Sequence, residues 1–444
     1  MGKSGMNKSI AMLAPLMLGA FSIGAVASET GLAADTSAKP DLRPIQIIVS
    51  RADQRLQVFK GTEVIAESHV STGKRGHTTP TGVFSILEKR RRHFSNLYNN
   101  APMPFMQRLT WSGIALHASN SVPRYPASHG CVRLPNSFAK TLFSLTNRGA
   151  HVVIAEREVA PSPIQHNVLF QPGIDQSDIK PSLEEDSQGL EMRLLSRHAL
   201  HGWKARQKKA QKRHKTLKPV RILITRRSTT TLVRDIQNEL NEQGYDAGAV
   251  DGIAGRNTIA AVRRFIGEDS PAEKAHWNGK FDRPLLQALY SRAGKGLVPE
   301  GHIYVRQKFK PLFNAPLRFK DPQKPLGAHL FTVSETNDAR TNANWLALSL
   351  GDSIHPNMQK RVGIEAIEQD DGLVAAEAVL DRLIIPQEVR DRIAPLLIAG
   401  SSLAISDKGK SQETTYQGTD FIVLTKPKGP DKKKKGLREV AKRN

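Results

Sequence analysis

One cysteine, Cys131, occurs in 444 residues. A lone thiol excludes a disulfide-stapled scaffold, and leaves Cys131 either a buried bystander that packs as a small hydrophobe or a working group. Acidic residues are scarce beside basic ones. The 42 Asp and Glu against 65 Lys and Arg give a formal charge of +23, which points to an anionic partner. No cluster of His, Cys, Asp and Glu has metal-ligand spacing, so the expectation is a chain that needs no metal and no cofactor.

At the front, Lys3 and Lys8 precede an apolar run from Ile10 to Val26 that closes on Ala25, Val26 and Ala27, the form of a secretory signal peptide over residues 1–27. An uncleaved anchor is the alternative, disfavoured by the Gly and Ser within the run. Export argues against nucleic acid as the anionic partner and for cell-wall polymers or an anionic envelope surface. The remaining length suits two or three domains.

From Ile45 to Glu156, segments such as IQIIVS, QRLQVF, TPTGVFSI, GIALHAS and HVVIAE alternate β-branched residues with Gly and Pro punctuation, which predicts a mostly β domain over 45–156. One helix, around Ser137 to Thr146, follows the cysteine, with Asn136 as its N-cap. Residues 157–226 change to Pro, Gln and Ser and then to a cationic run, a basic linker that is either a solvated spacer or an electrostatic tether. Residues 428–444 read as a basic disordered tail.

Apolar stripes at Leu232, Val233, Ile236 and Leu240, and at Ile259, Val262 and Phe265, flank a glycine-rich loop. The pattern Gly244, Tyr245, Gly248, Asp251, Gly252, Gly255, Thr258, Ala261, Val262, Phe265 resembles the small three-helix peptidoglycan-binding domain. The resemblance places such a domain at 227–294.

A cysteine becomes a nucleophile when a base or positive field favours its thiolate, and His117, His129 and Arg133 are candidates. Acyl transfer also needs donors for an oxyanion, which N–H groups around Gly130 and Cys131 would offer. The stretch HASNSVPRYPASHGCVRLP resembles the active-site segment of the L,D-transpeptidases, the YkuD-domain family, with His117, Ser128, His129, Gly130, Cys131 and Arg133 in the motif positions. Only ten residues separate His117 from Ser128, where some members have a longer loop. The resemblance implies a catalytic domain that cleaves a peptidoglycan tetrapeptide stem after its third residue through a cysteine thioester and joins the acyl group to another stem. On that basis Cys131 is the nucleophile and His117 the general base, with His129 as the alternative base or a substrate contact. Gly130 supplies backbone donors, and Ser128 and Arg133 bind substrate. Tyr98 and Met106, in the basic stretch 89–111, are expected on a substrate-side loop. Hydrolysis by the same acyl-enzyme (a carboxypeptidase or endopeptidase), attachment of a lipoprotein to the wall, and a non-catalytic wall-binding scaffold are the competing readings.

The last third carries a faint echo. FAKTLFSLTNRGAHVVIAE from Phe138 matches VRDRIAPLLIAGSSLAISD from Val389 without gaps, TPTGVFSI resembles KPLGAHLFTV, and TWSGIALHAS resembles NWLALSLGDS. Residues 300–427 are therefore read as an α+β module that is a degenerate catalytic-domain copy, with Arg382 where Cys131 stands and Gly351 where His117 stands. An unrelated α+β module is the alternative. The chain is thus expected to be multi-domain: a mostly β catalytic domain, a three-helix domain and this module.

Overall fold

The computed structural model describes residues 41, 43–96, 99–173, 217–269, 279–337, 341–350, 372–411, 413–414 and 418–425. The expected signal peptide, most of the cationic run and the basic tail lie outside the described residues, as do Tyr98 and Gly351.

In chain order the first half gives β1 (Ile45–Ser50), β2 (Arg55–Lys60), β3 (Glu63–His69), β4 (Gly82–Ser85), β5 (Glu88–Arg90), β6 (Met106–Arg108), β7 (Ala115–Ala118), β8 (Val132–Leu134), α1 (Asn136–Leu145) and β9 (His151–Ala155). The second half gives β10 (Ser162–Ile164), β11 (Val220–Arg226), α2 (Thr229–Glu242), α3 (Arg256–Asp269), α4 (Arg283–Arg292), β12 (Gly301–Gln307), β13 (Lys310–Phe319), β14 (Ala328–Thr336), β15 (Ala343–Ser349), α5 (Leu373–Leu380), β16 (Leu383–Ile384), α6 (Gln387–Ile393), β17 (Ser402–Ser406) and β18 (Val423–Leu424). They build a sheet ordered β18-β4-β9-β1-β2-β3, a small sheet β5-β6-β7-β8, and a larger sheet β10-β15-β14-β17-β11-β12-β13-β16.

β1 reads IQIIVS and is buried from Gln46 to Ser50, with no exposed side. The reason is cover on both faces. Ile47 and Val49 enter one core with Leu116, Val132 and Leu142, whereas Ile48 joins Val83 and Val153 against Leu223, Leu330 and Ala404 of the larger sheet. Gln46 Nε2 donates to Thr332 Oγ1 at 2.7 Å, and His151 Nε2 lies 2.9 Å from Ser402 Oγ across the same junction.

The two sheets repeat one plan. β1 runs parallel to β9, and β11 runs parallel to β17; β2 and β3, like β12 and β13, follow as antiparallel neighbours. A bulge falls between Val58 and Phe59 in one and between Val305 and Arg306 in the other. His151 pairs with Gln46 and Ser85, and its gapless counterpart Ser402 pairs with Arg221 and Thr332. Arg133 meets Ser71 just beyond β3, and Ile384 meets Arg318 near the end of β13. Both α1 and α6 start after a proline, Pro135 and Pro386, that supplies no side-chain cap. Asn136 is therefore not the cap expected from sequence; it bonds Asn120 instead.

Three expectations need correction. The stretch read as a linker contributes β10 and β11 to the larger sheet. The C-terminal module consequently starts before residue 300, and the helical domain is an insertion between the paired strands β11 and β12. Last, Trp345 lies on β15 opposite Val333, whereas Trp111 sits in the turn between β6 and β7, so that part of the sequence match has no structural counterpart. Periodicity could not reveal the insertion, because β11 is separated from its partners by a whole domain.

In the inserted domain, Val233, Ile236 and Leu240 are buried as the stripe predicts, and Tyr245, Val262, Phe265 and Leu286 complete the core. Ser228 caps α2 by accepting from the Thr231 N–H. Buried Gln237 holds the glycine loop: its Nε2 donates to Asp251 Oδ1 and Thr258 Oγ1, and its Oε1 accepts from Gly252 N at 2.8 Å.

Candidate active site

The small sheet brings the motif together. β7 and β8 are parallel, with Leu116 opposite Val132 and His117 opposite Arg133. Alternation sends Leu116 and Val132 into the core and leaves His117, Arg133 and, two residues earlier, Cys131 on the other face. His117 is 9% exposed, and its Nδ1 lies 2.8 Å from Ala118 O. A carbonyl only accepts, so in the neutral ring Nδ1 carries the proton and Nε2 keeps its lone pair. The Cys131 thiol donates to Gly113 O at 3.3 Å and packs on Met103, Met106 and Ala115.

The loop bearing Cys131 is stapled to residues 71–79. Thr72 O accepts from Ala127 N and Ser128 N, Ser128 O accepts from Lys74 N, and Ser71 and Arg133 exchange two backbone bonds. Thr79, fully buried, accepts from Gly73 N and donates to Gly130 O, both at 2.8 Å. Gly73 has no room for a side chain: a Cβ there would stand 1.9 Å from His77 O and 3.0 Å from Gly130 Cα. Gly130 has φ +119°, and a Cβ would meet Ile114 Cδ1 at 2.9 Å.

Residues 44–154 match the family model described as the L,D-transpeptidase catalytic domain, YkuD. That places this stretch in the L,D-transpeptidase catalytic-domain family. Residues 229–265 match a putative peptidoglycan binding domain. Among curated proteins, none matches the chain. Solved structures that resemble it include an L,D-transpeptidase from Mycobacterium smegmatis, 20% identical over 25% of this chain and 58% of that one, TM-score 0.24. Another, from Stackebrandtia nassauensis, is 28% identical over 26% and 57%, TM-score 0.25. A third, a mutant L,D-transpeptidase of Enterococcus faecium, is 26% identical over 25% and 49%, TM-score 0.24. The chain thus spans between about half and three-fifths of the length of these structures. The assignment rests on the family match.

Within the L,D-transpeptidase domain, several residues stand where the sequence did not put them. Ser128 is 1% exposed; its hydroxyl donates to Cys131 O and accepts from Gly130 N, so it braces the loop and does not face substrate. The same bond engages the Gly130 N–H expected at an oxyanion. Met106 is fully buried behind the thiol, not on a substrate-side loop, because β6 turns it into the apolar cluster under Cys131. His129 is exposed and meets His77 edge-on at 4.7 Å, on a rim with Lys74, Arg75 and half-buried Arg133. Among the described residues, no three His, Cys, Asp or Glu side chains converge as metal ligands.

The electrostatics also differ from expectation. Burial pushes the Cys131 thiol up, against the Ala115 amide and the Arg108 and Arg133 guanidiniums, which favour the thiolate. Burial lowers His117 to about 4, opposed by its bond to Ala118. At neutral pH burial therefore favours the protonated thiol at Cys131 and the neutral imidazole at His117. Arg108 and Thr79 were not singled out from sequence. Arg108 is held by Glu88 at 2.9 Å and lies over the Trp111 ring at 5.6 Å. Thr79 lay unremarked inside a stretch read only as a strand and its approach.

Proposed function

We propose that this chain is a cysteine L,D-transpeptidase that cross-links peptidoglycan outside the cytoplasm. The observation that carries the reading is His117 on β7, opposite Arg133 of β8 and on the face shared with Cys131 just before that strand, with Nδ1 of the imidazole tied to Ala118 O so that Nε2 is left as the proton acceptor. In the first half-reaction Sγ attacks the carbonyl carbon of the third stem residue while His117 takes the thiol proton. The amide bond to the fourth residue breaks, and that proton leaves with the released amine. In the second, an acceptor amine gives a proton to His117, attacks the thioester and forms a new amide; the proton returns to the thiol. Arg108 and Arg133 stabilise negative charge at sulfur, and Arg133 with the basic rim of Lys74 and Arg75 attracts stem carboxylates.

The inserted helical domain is proposed to hold the chain on the wall, and the larger sheet to be a catalytic-domain copy without chemistry. In that copy Arg382 donates to the carbonyls of Lys320, Asp321, Lys324 and Pro325, so a guanidinium fills the place of the thiol and ties the neighbouring loop shut. The test is to incubate the full chain with tetrapeptide-bearing muropeptides and analyse products by mass spectrometry. Cross-linked dimers, absent with Cys131→Ala, support transpeptidation. Shortened stems alone would replace it with the hydrolytic reading, and no product at all with the scaffold.

A further inference from the structure

The turn that receives the thiol is not held by the catalytic domain alone. Within residues 110–114, Gly113 N bonds Thr110 O at 3.3 Å and Ile114 N bonds Thr110 Oγ1 at 3.0 Å. The N–H groups of Trp111 and Ser112 point outward, and both donate to Glu413 Oε2, at 3.0 and 3.3 Å. Glu413 comes from the segment that leaves the larger sheet after β17 and ends as β18 on the free edge of β4. The segment is fixed at several further points. Arg148 donates to Gly418 O at 3.1 Å while lying over the Phe309 ring at 4.1 Å, Asp420 accepts from Ser85 and Arg221, and Thr425 N donates to Thr81 O at 3.0 Å.

We propose that Glu413 is a positioning residue of the active site: by holding the amides of Trp111 and Ser112 it sets the turn whose Gly113 carbonyl receives the Cys131 thiol. The non-catalytic half of the chain thereby governs the geometry of the nucleophile. The physical basis is a chain of short contacts from carboxylate to turn amides to Gly113 carbonyl to sulfur, with the carboxylate anchored by strand pairing on the far side. A small displacement of a reacting group lowers the rate of an oriented reaction steeply. An S–H···O bond also stabilises the protonated thiol, so its loss makes the thiol easier to ionise.

This inference rests on Cys131 as nucleophile but not on the identity of the acceptor, and its main readout needs no wall substrate. The full chain and its Glu413→Ala and Glu413→Gln variants are alkylated with iodoacetamide across pH, and kcat and KM are measured on a soluble tetrapeptide stem. In Glu413→Ala the alkylation midpoint moves to lower pH by about half a unit, the scale of one weak hydrogen bond. Its kcat falls about tenfold with KM nearly unchanged. Glu413→Gln, which keeps an amide oxygen for the turn, recovers most of both. Thr425→Val, which loosens the same segment at its far end where Thr425 bonds Thr81 Oγ1, lowers Tm without moving the midpoint. An unmoved midpoint in Glu413→Ala overturns the proposal, and so does an equal shift in Thr425→Val. Absence of turnover in the unmodified chain would sink the transpeptidase reading while leaving the alkylation result to decide this one.

Discussion

Replacing Thr79 by Val keeps the shape of the side chain and removes the hydroxyl that joins two loops. In the structure that oxygen accepts from Gly73 N and donates to Gly130 O, in a site with no solvent access. Valine leaves one N–H and one C=O buried without a partner. Each such group costs about 1–3 kcal/mol, so the expected loss is about 2–6 kcal/mol. Water cannot easily enter to relieve it, since Gly73 and Gly130 pack to within the distance at which even a methyl group is refused. Gly130 precedes Cys131, the proposed nucleophile, so the loop shift reaches Sγ, and a drop in kcat of about 10- to 100-fold accompanies the lost stability. Thr79→Ser keeps both bonds and loses one methyl, which costs about 1 kcal/mol. Urea denaturation of both variants, with turnover on a soluble stem at a temperature where both are folded, makes the comparison. A valine variant as stable and active as the parent would refute the idea that this hydroxyl holds the motif loop.

Other predictions follow from the insertion, the buried histidines and Arg382. Because Arg227 N bonds Glu300 O at 3.0 Å, the ends of the inserted domain are adjacent. Replacing residues 229–298 by a short Gly-Ser link should leave turnover of soluble stems intact while reducing sedimentation with insoluble peptidoglycan, and equal loss of both would show that the helices prop up the fold. Burial holds His117 and His329 at about 4, below the unfolded value near 6.5, so each contributes stability that is complete above pH 6.5 and lost as pH falls through 4. The loss is up to about 3 kcal/mol for each histidine, and a denaturation midpoint independent of pH over that interval would contradict it. Arg382→Cys should lower Tm and give no acyl transfer when combined with Cys131→Ala, since it removes bonds to four carbonyls and introduces a thiol without a base; measurable turnover would show that the proposed copy has a working site.

Local pattern was enough for much of this. The strands around Cys131 announced themselves through β-branched alternation, and the helical stripes with their glycine loop through spacing, because both signals come from neighbours in the chain. The Ser-His-Gly-Cys motif singled out Cys131 as the candidate nucleophile, and a gapless match set Arg382 against it. What the motif residues do individually was not legible. Ser128 and Met106 look like substrate contacts in a string, yet the fold engages the hydroxyl of one on the loop itself and buries the other behind the sulfur. The thiol's ionisation was likewise misjudged, because a sequence displays the nearby Arg133 and His129 but not the burial that outweighs them.

Sequence by itself determined the chemistry on offer: one thiol, an upstream histidine, and a three-helix motif with fixed glycines. Tertiary structure alone decided that the helical domain interrupts a strand pair, that residues 151 and 402 meet across two packed sheets, and that Thr79 and Glu413 govern the loops around Cys131. The reason is separation along the chain. Glu413 stands about 300 residues from the turn it holds, and such a contact is fixed by how the sheets pack and leaves no periodic trace in either segment.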